Sequence, residues 1–280
     1  ENGTILKGTI TSDVTLAAGN TYKLSGEYIV EEGATLHIEE GVKIIAVYDD
    51  IADYILVKQG GKINAVGTPD KPIVMTSEKE EPGAWGGIHI CGRAHTNAEG
   101  GKGSSEIGGA VYGGNDDADN SGTLQYIRLE YTGFAFDEEH EANGISFYGV
   151  GNGTIVDHCQ AYKGSDDGFE FFGGSVNVSN LVAVSCSDDS FDWTEGWNGK
   201  GTNLVAYQEA ESTLGYDCDC LMECDNNGSN NAATPVAHPV LKNLILVGNG
   251  GSKQGIRLRA GTEVEIDNAK VCGKGQPLTV

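Results

Sequence analysis

The sequence predicts an all-β fold and, within that class, a parallel β-helix, in which a coiling chain stacks like strands on like strands. Three observations predict it: an internal repeat of about 22 residues or more, short segments that alternate with period two, and a composition rich in turn residues. The chain has 280 residues, of which 42 are glycine and only 6 are proline. Repeats of this length form units that bury their hydrophobic faces only by stacking on one another.

The repeated unit is a small residue followed by an apolar, a variable and an apolar residue. The best-preserved pair aligns 165–171 with 187–193 without a gap, acids on acids and aromatics on aromatics. The six copies begin at Gly87, Gly144, Gly168, Ser190, Leu221 and Gly255. Each copy therefore predicts one strand per coil.

A second β-type segment follows most copies, as in 178–184 and 202–207. An asparagine recurs where its apolar run begins, at Asn180, Asn203, Asn243 and Asn268. We expect these side chains to hydrogen-bond from coil to coil at a bend.

A looser version of the repeat, in which 29–38 matches 56–65, covers the N-terminal part. We therefore expect one β-helix domain over residues 1–280. Excursion loops are expected near 93–121 and 225–239, where the repeat pattern is lost.

The charge balance is strongly acidic, with a formal net charge of −23 at pH 7 and a pI near 4.4. Such a surface repels nucleic-acid phosphates and anionic membranes, which argues against both as partners. It favours cations or uncharged sugars, although acidity also simply keeps a secreted protein soluble. No apolar stretch approaches the roughly 20 residues that span a bilayer.

The seven cysteines form no recognisable metal motif. Cys159 and Cys224 align with core positions of other repeats and should be buried thiols. Cys218, Cys220 and Cys224 lack the paired Cys-x2-Cys spacing of zinc sites, and a disulfide involving Cys218 or Cys220 is the stronger alternative. An odd count leaves at least one thiol free or paired between chains.

Strand geometry predicts which repeat positions face outward. The two apolar positions point into the core, so the variable residue and the residue after the second apolar position point away from it. The first outward column is His89, Ser146, Glu170, Asp192, Glu223 and Arg257, and the second is Cys91, Tyr148, Phe172, Thr194, Asp225 and Arg259. Together they predict a solvent-facing strip, which is where solenoids usually bind extended ligands.

Three interpretations of this strip remain open. As a ligand-binding surface it would use Tyr148, Glu170, Phe172, Asp192, Glu223, Asp225 and Arg257, with aromatic faces stacked on sugar rings and carboxylates accepting hydroxyl hydrogen bonds. As an active site, Glu170 and Asp192 would lie about 5 Å apart and divide the acid and base roles of glycoside hydrolysis. Alternatively, these are solvated outward residues whose spacing follows from the fold alone.

Two pairs of turn acids are a separate signal. Asp166 and Asp167 occupy the turn equivalent to that of Asp188 and Asp189 one coil later, which predicts up to four carboxylates in a small volume. Calcium, a hard oxygen-seeking cation, would relieve their repulsion. Alternatively, the acids cap turn backbone.

The segments 83–88, 166–174, 188–197 and 223–227 resemble secreted or lipid-anchored bacterial right-handed β-helix proteins of Bacteroidetes and some proteobacteria, and the resemblance extends over nearly the whole chain. It implies a right-handed helix and an extracellular, cell-surface or periplasmic location. No activity is established for that family, so no catalytic residue is implied.

Pectin-degrading hydrolases are similar in having an Asp-Asp pair and a basic strand like 255–259, but their Asn-Thr-Asp and Gly-His-Gly motifs are missing here. A lyase of the pectate type would need a calcium-held substrate and a basic proton acceptor, for which the strip offers Arg257 and Arg259.

The sequence thus predicts a secreted or cell-surface β-solenoid that acts as a binding or structural protein, with extracellular polysaccharide as the expected ligand. One alternative is a polysaccharide hydrolase or lyase. Another is a surface component that assembles end to end with copies of itself, since neither end has an evident capping helix.

Overall fold

A computed structural model describes residues 3–280 and confirms a parallel β-helix. It has 25 strands, of which 21 join one large sheet and four form two small hairpins. Every strand pairing that the structure describes in the large sheet is parallel. Each strand therefore lies directly over a strand of the preceding coil.

The elements have the following bounds. The strands are β1 (Ile5–Ile10), β2 (Val14–Leu16), β3 (Thr21–Val30), β4 (Thr35–Ile38), β5 (Lys43–Ala46), β6 (Tyr54–Val57), β7 (Lys62–Val66), β8 (Ile73–Ser77), β9 (Ile88–Cys91), β10 (Gly103–Ser104), β11 (Val111–Tyr112), β12 (Gly122–Glu130), β13 (Ala135–Asp137), β14 (His140–Glu141), β15 (Ile145–Tyr148), β16 (Ile155–Tyr162), β17 (Phe169–Phe172), β18 (Asn177–Val184), β19 (Phe191–Thr194), β20 (Lys200–Tyr207), β21 (Met222–Asp225), β22 (Val240–Val247), β23 (Gln254–Arg259), β24 (Glu265–Cys272) and β25 (Gln276–Thr279). The helical segments between residues 3 and 280 are a 3-10 turn, Glu99–Gly101, and the short helix α1, Glu211–Leu214. No helix in this range is long and apolar enough to cross a membrane.

The coils have three faces. Face A stacks the second half of β3, then β6, β9, β15, β17, β19, β21, β23 and β25. Face B stacks β2, β4, β7 and the first halves of the long strands β12, β16, β18, β20, β22 and β24. Face C stacks β5, β8 and the second halves of the same long strands. Each of these long strands turns a corner between faces B and C.

The corner is made by one residue per coil in the left-handed backbone region. Asn180, Asn203, Asn243 and Asn268 have φ between 55° and 64° there. Each later asparagine donates its Nδ2 to the Oδ1 of the one before, at 3.0, 3.1 and 2.8 Å. The predicted asparagine ladder is confirmed, and asparagine suits this corner because it tolerates positive φ better than most residues.

A continuous hydrophobic core fills the solenoid. The predicted inward positions are buried, and their aromatic rings stack from coil to coil: Phe147 and Phe171 have centroids 5.0 Å apart, and Phe169 and Phe191 5.5 Å apart. Such stacks add stabilisation beyond that of buried area.

The cysteines are all free thiols in the described chain, so the expected disulfide at Cys218 or Cys220 is not formed. Cys159 and Cys224 are buried, as predicted, and only Cys272 is exposed. Cys159 and Cys224 therefore contribute to the core as small hydrophobic side chains.

The ladder predicts a specific loss of stability. Asn203→Ala removes two ladder hydrogen bonds and places alanine at positive φ, so the free energy of unfolding should fall by about 1–3 kcal/mol in chemical denaturation. Asn203→Gly keeps the positive-φ backbone conformation accessible, so its free energy of unfolding should fall by less than that of Asn203→Ala. Asn198→Ala, at an exposed asparagine, is the control; equal losses in Asn203→Ala and Asn198→Ala would contradict a stabilising ladder.

Candidate functional site

The outward columns on face A have the predicted register. Ser146 pairs with Glu170, Glu170 with Asp192, Asp192 with Glu223, and Glu223 with Arg257. These side chains are therefore about 4.8 Å from their neighbours along the stack. The register alone does not decide which of them reach solvent.

The N-terminal half of the strip is buried, contrary to expectation. Tyr148 and Phe172 are 0% and 6% exposed, and His89, Cys91 and Ser146 are buried with them. Tyr148 packs against Phe172 and against Tyr112, with ring centroids 4.4 and 5.1 Å apart. Tyr148 and Phe172 thus form a second hydrophobic cluster and present no free face to a sugar ring.

The segment 92–121 covers Tyr148 and Phe172. It leaves the sheet after β9 and returns at β12. We call this segment the lid. Its Ile107, Ala110 and Tyr112 pack on the aromatic pair. Because the lid brings its own apolar residues, it completes a small core outside the solenoid.

Polar contacts hold the lid to the following coils. Glu195 accepts hydrogen bonds from the Tyr112 hydroxyl at 2.9 Å and the Thr96 hydroxyl at 2.7 Å, and burial raises the pKa of its carboxyl. His95 lies between the Asp117 carboxylate at 2.8 Å and the Gly196 carbonyl at 2.7 Å. The lid is therefore fixed at both its start and its end.

Beyond the lid, turn and strand acids converge as the sequence predicted. We call this cluster the acidic groove. Three overlapping triads of its acids have carboxylate oxygens within 4.8 Å of one another: Asp166, Asp167 and Asp188; Asp167, Glu170 and Asp192; and Asp189, Asp192 and Glu223. The first two triads share Asp167 and the last two share Asp192, so the carboxylates form a nearly continuous column.

The turn acids also bind backbone: Asp166 accepts the amide of Asp167 in its own turn, and two others bind the next coil. Asp167 Oδ1 accepts the amide of Asp189 at 2.9 Å, and Asp189 Oδ1 accepts the amide of Cys220 at 2.8 Å. These bonds tie each turn to the next coil and use one oxygen of each carboxylate. The predicted capping role is thus partly right, and it leaves the second oxygens available.

Burial and mutual repulsion make these carboxyls hard to ionise. Burial, followed by the nearby Asp188, raises the pKa of Asp166 to about 8. Burial and then neighbouring carboxylates raise the pKa values of Asp167, Glu170, Asp189 and Asp192 well above the ordinary range. Without a bound cation, the groove therefore retains protons at neutral pH.

The C-terminal end of the strip is neutralised by arginine. Glu223 is paired with Arg257 at 3.1 Å and with Arg259 at 2.6 Å, and Asp225 with Arg259 at 2.7 Å. Glu170 and Asp192 form no ion pair with any residue from 3 to 280. The carboxyls of the strip that lack a cationic partner are thus concentrated in the coils of β17 and β19.

Asn143 is a groove residue that the sequence analysis missed. It is fully buried and donates its Nδ2 to Glu170 Oε2 at 2.7 Å and to the Ser146 hydroxyl at 2.9 Å. Its Oδ1 has no hydrogen-bond partner among the described residues. The available signal was its place in the repeat, since Asn143-Gly144 aligns with Asp167-Gly168.

Glu106 of the lid was also missed. Burial, opposed by His140 and reinforced by Glu195 and Glu141, raises its pKa to about 7. It contributes to the raised pKa values of Asp166 and Glu170, so the lid adds a carboxyl to the groove. No repeat pattern marks this position.

The donor set fits a hard cation. Asp167, Glu170 and Asp192 supply carboxylate oxygens that lie within 4.8 Å of one another, and Glu170 is further held by the Nδ2 of Asn143. Carboxylate oxygens are among the ligands that calcium binds in proteins. The thiol of Cys220 lies at one edge, beside Asp189 and Asp219, and is not needed for such a site.

The raised pKa values predict how stability depends on pH. A carboxyl whose pKa is higher folded than unfolded stabilises the fold below its unfolded pKa and loses that effect as pH rises through its folded pKa. In chelator, stability should therefore fall as pH rises from about 4 through about 8, the pKa of Asp166, and Asp192→Asn should weaken that fall. The measurement is the thermal midpoint across pH, with the exposed Asp267→Asn as control. Parallel pH curves for the parent and Asp192→Asn would refute the prediction.

Comparison with known proteins gives a family. A family model described as a pectate-lyase-like β-helix domain matches residues 8–280. No curated protein matches the sequence significantly. The chain belongs to the pectate-lyase-like β-helix domain family.

Proposed function

We propose that this protein binds polysaccharide outside the cell or at its surface and that a calcium ion in the acidic groove takes part in binding. The observation that carries the proposal is the convergence of Asp167, Glu170 and Asp192, whose carboxylate oxygens lie within 4.8 Å of one another. Carboxylates this close repel one another when ionised, and a bound cation would relieve that repulsion.

Calcium suits this groove better than softer metals. The carboxylate donors are hard oxygens, and calcium accepts six to eight oxygen ligands with flexible geometry. The three carboxylates come from β17, the turn before it and β19 of the next coil. The solenoid would therefore hold them in place without a dedicated loop. Membership of a pectate-lyase-like family supports a carbohydrate ligand, and the groove supports a role for a cation in holding it.

Binding is favoured over catalysis by the state of the candidate catalytic groups. Glycoside hydrolysis needs one protonated and one ionised carboxyl, whereas a calcium ion bound between Glu170 and Asp192 would keep both ionised. Elimination needs a free base, whereas Arg257 and Arg259 both donate hydrogen bonds to Glu223. The groove thus offers cation ligands without an evident proton acceptor.

Calcium should stabilise the folded protein. At a concentration 100 times the dissociation constant, one site that exists only in the fold adds about 2.7 kcal/mol. The rise in thermal midpoint over a chelated sample should be lost in Asp167→Asn and Asp192→Asn and kept in Asp267→Asn. An unchanged midpoint with calcium in the parent would rule out the site.

Glycan binding should depend on the same residues. On a polysaccharide panel, the parent should bind in calcium, lose at least ten-fold in affinity in chelator, and show no reducing-sugar or unsaturated product. Asp192→Asn should bind weakly in either buffer, whereas Asp267→Asn should behave as the parent. Binding that survives both chelator and Asp192→Asn would place the ligand elsewhere, and product formation would establish an enzyme.

A further inference from the structure

We propose a second ligand site at the corner between faces B and C, formed by Tyr126, His158, Arg128 and Gln160 beneath the turn 67–72. It would bind a single sugar ring that carries an anionic group, either a carboxylate or a sulfate. This site is separate from the acidic groove and goes beyond the function proposed for it.

Tyr126 and His158 occupy the corner position that later coils fill with asparagine. They have φ of 51° and 53°, like the ladder residues. The ladder ends at Asn180, whose Nδ2 donates to Asp157 Oδ1 at 2.8 Å. A bulky tyrosine is unfavourable at positive φ, so the scaffold itself gives no reason for tyrosine here.

The two rings form an aromatic platform. Their centroids are 4.5 Å apart and their planes are inclined by 16°. Tyr126 is partly exposed and His158 is exposed, unlike the stacked rings of the core. Because the rings stack on each other, one face of each is covered, and a sugar ring would pack against an outer face or the exposed edges of the stack.

A concavity of about 380 Å³ lies at this platform. Pro69 and Pro72, from the turn between β7 and β8, form one wall, and Asn180 and Val182 lie at the opposite side. This volume lies near the lower end of the range for small-ligand sites, about 300–1,000 Å³. A concavity of this size suits one monosaccharide unit.

Two polar side chains at this concavity are unused, whereas His158 and Asn180 both contact the Asp157 carboxylate, each at 2.8 Å. Arg128 and Gln160 pair in register on adjacent strands, and neither side chain has a hydrogen bond or ion pair with any residue from 3 to 280. Arg93, Arg257 and Arg259 each pair with a carboxylate, so Arg128 is the unpaired arginine of the described chain.

The free guanidinium indicates the charge of the ligand. Its planar fork binds carboxylate or sulfate through two parallel hydrogen bonds, and the adjacent amide would bind a hydroxyl. One acid, Asp157, adjoins the site, and its Oδ1 is held by His158 and by Asn180, each at 2.8 Å. At about 0.15 M salt the Debye length is about 8 Å, which limits repulsion from the more distant acids of the molecule.

The asparagine ladder supplies a variant that tests the site without damaging the fold. Tyr126→Asn with His158→Asn extends the ladder by two coils, so the thermal midpoint should stay equal or rise. Binding of methyl glucuronide and of glucose 6-sulfate, measured by calorimetry and ligand-observed NMR at 0.15 M salt, should weaken at least ten-fold. Arg128→Gln should reduce the affinity for methyl glucuronide to that for methyl glucoside.

Several outcomes would overturn the proposal. The first is that the parent binds neither anionic sugar at 10 mM, and the second is that the double asparagine variant binds as well as the parent. The third is that benzoate binds as tightly as the glucuronide, since such binding would exclude a sugar-specific site. Chelator and Asp192→Asn should leave this binding unchanged. If they abolish it, the ligand lies in the acidic groove and the corner site does not exist, whereas the function proposed for the groove would stand.

Discussion

The parallel register between coils is the constraint on which the rest of the structure depends. With coils stacked about 4.8 Å apart, each outward side chain lies over its counterpart in the next coil, whatever its chemistry. Asparagine benefits, because each amide both donates and accepts along the column. Carboxylates do not, because the same spacing brings like charges together. The ladder and the acidic groove are thus opposite consequences of one geometry.

Much of this geometry could be predicted from the sequence, because aligned repeats specify register. The pairing of Glu170 with Asp192, the gathering of the turn acids and the asparagine column all follow from the alignment. Exposure did not follow, since it depends on where the lid packs. The lid has no repeat, and its cover of Tyr148 rests on contacts from Ile107 and Tyr112, which are distant in sequence.

The residues that the sequence analysis missed have physical explanations. Asn143 stands in the turn position where later coils have aspartate, so a search for paired acids passes over it. Glu106 reaches the groove only through the lid. The register places Arg257 beside Glu223 and Arg259 beside Asp225, but it does not show that Arg259 also reaches Glu223. Side-chain direction and loop placement were therefore the unpredictable part.

The distribution of charge along face A narrows the site to two coils. The strip begins with buried uncharged residues such as Ser146 and ends with carboxylates paired to arginine, so neither end needs a further partner. Among the carboxylates of the strip, only Glu170 and Asp192 combine close approach with the absence of an ion pair with any described residue. A cation placed there would also reach Asp167, whereas one placed beside Glu223 would compete with two guanidinium groups. The electrostatics therefore favour the coils of β17 and β19, immediately beyond the edge of the lid.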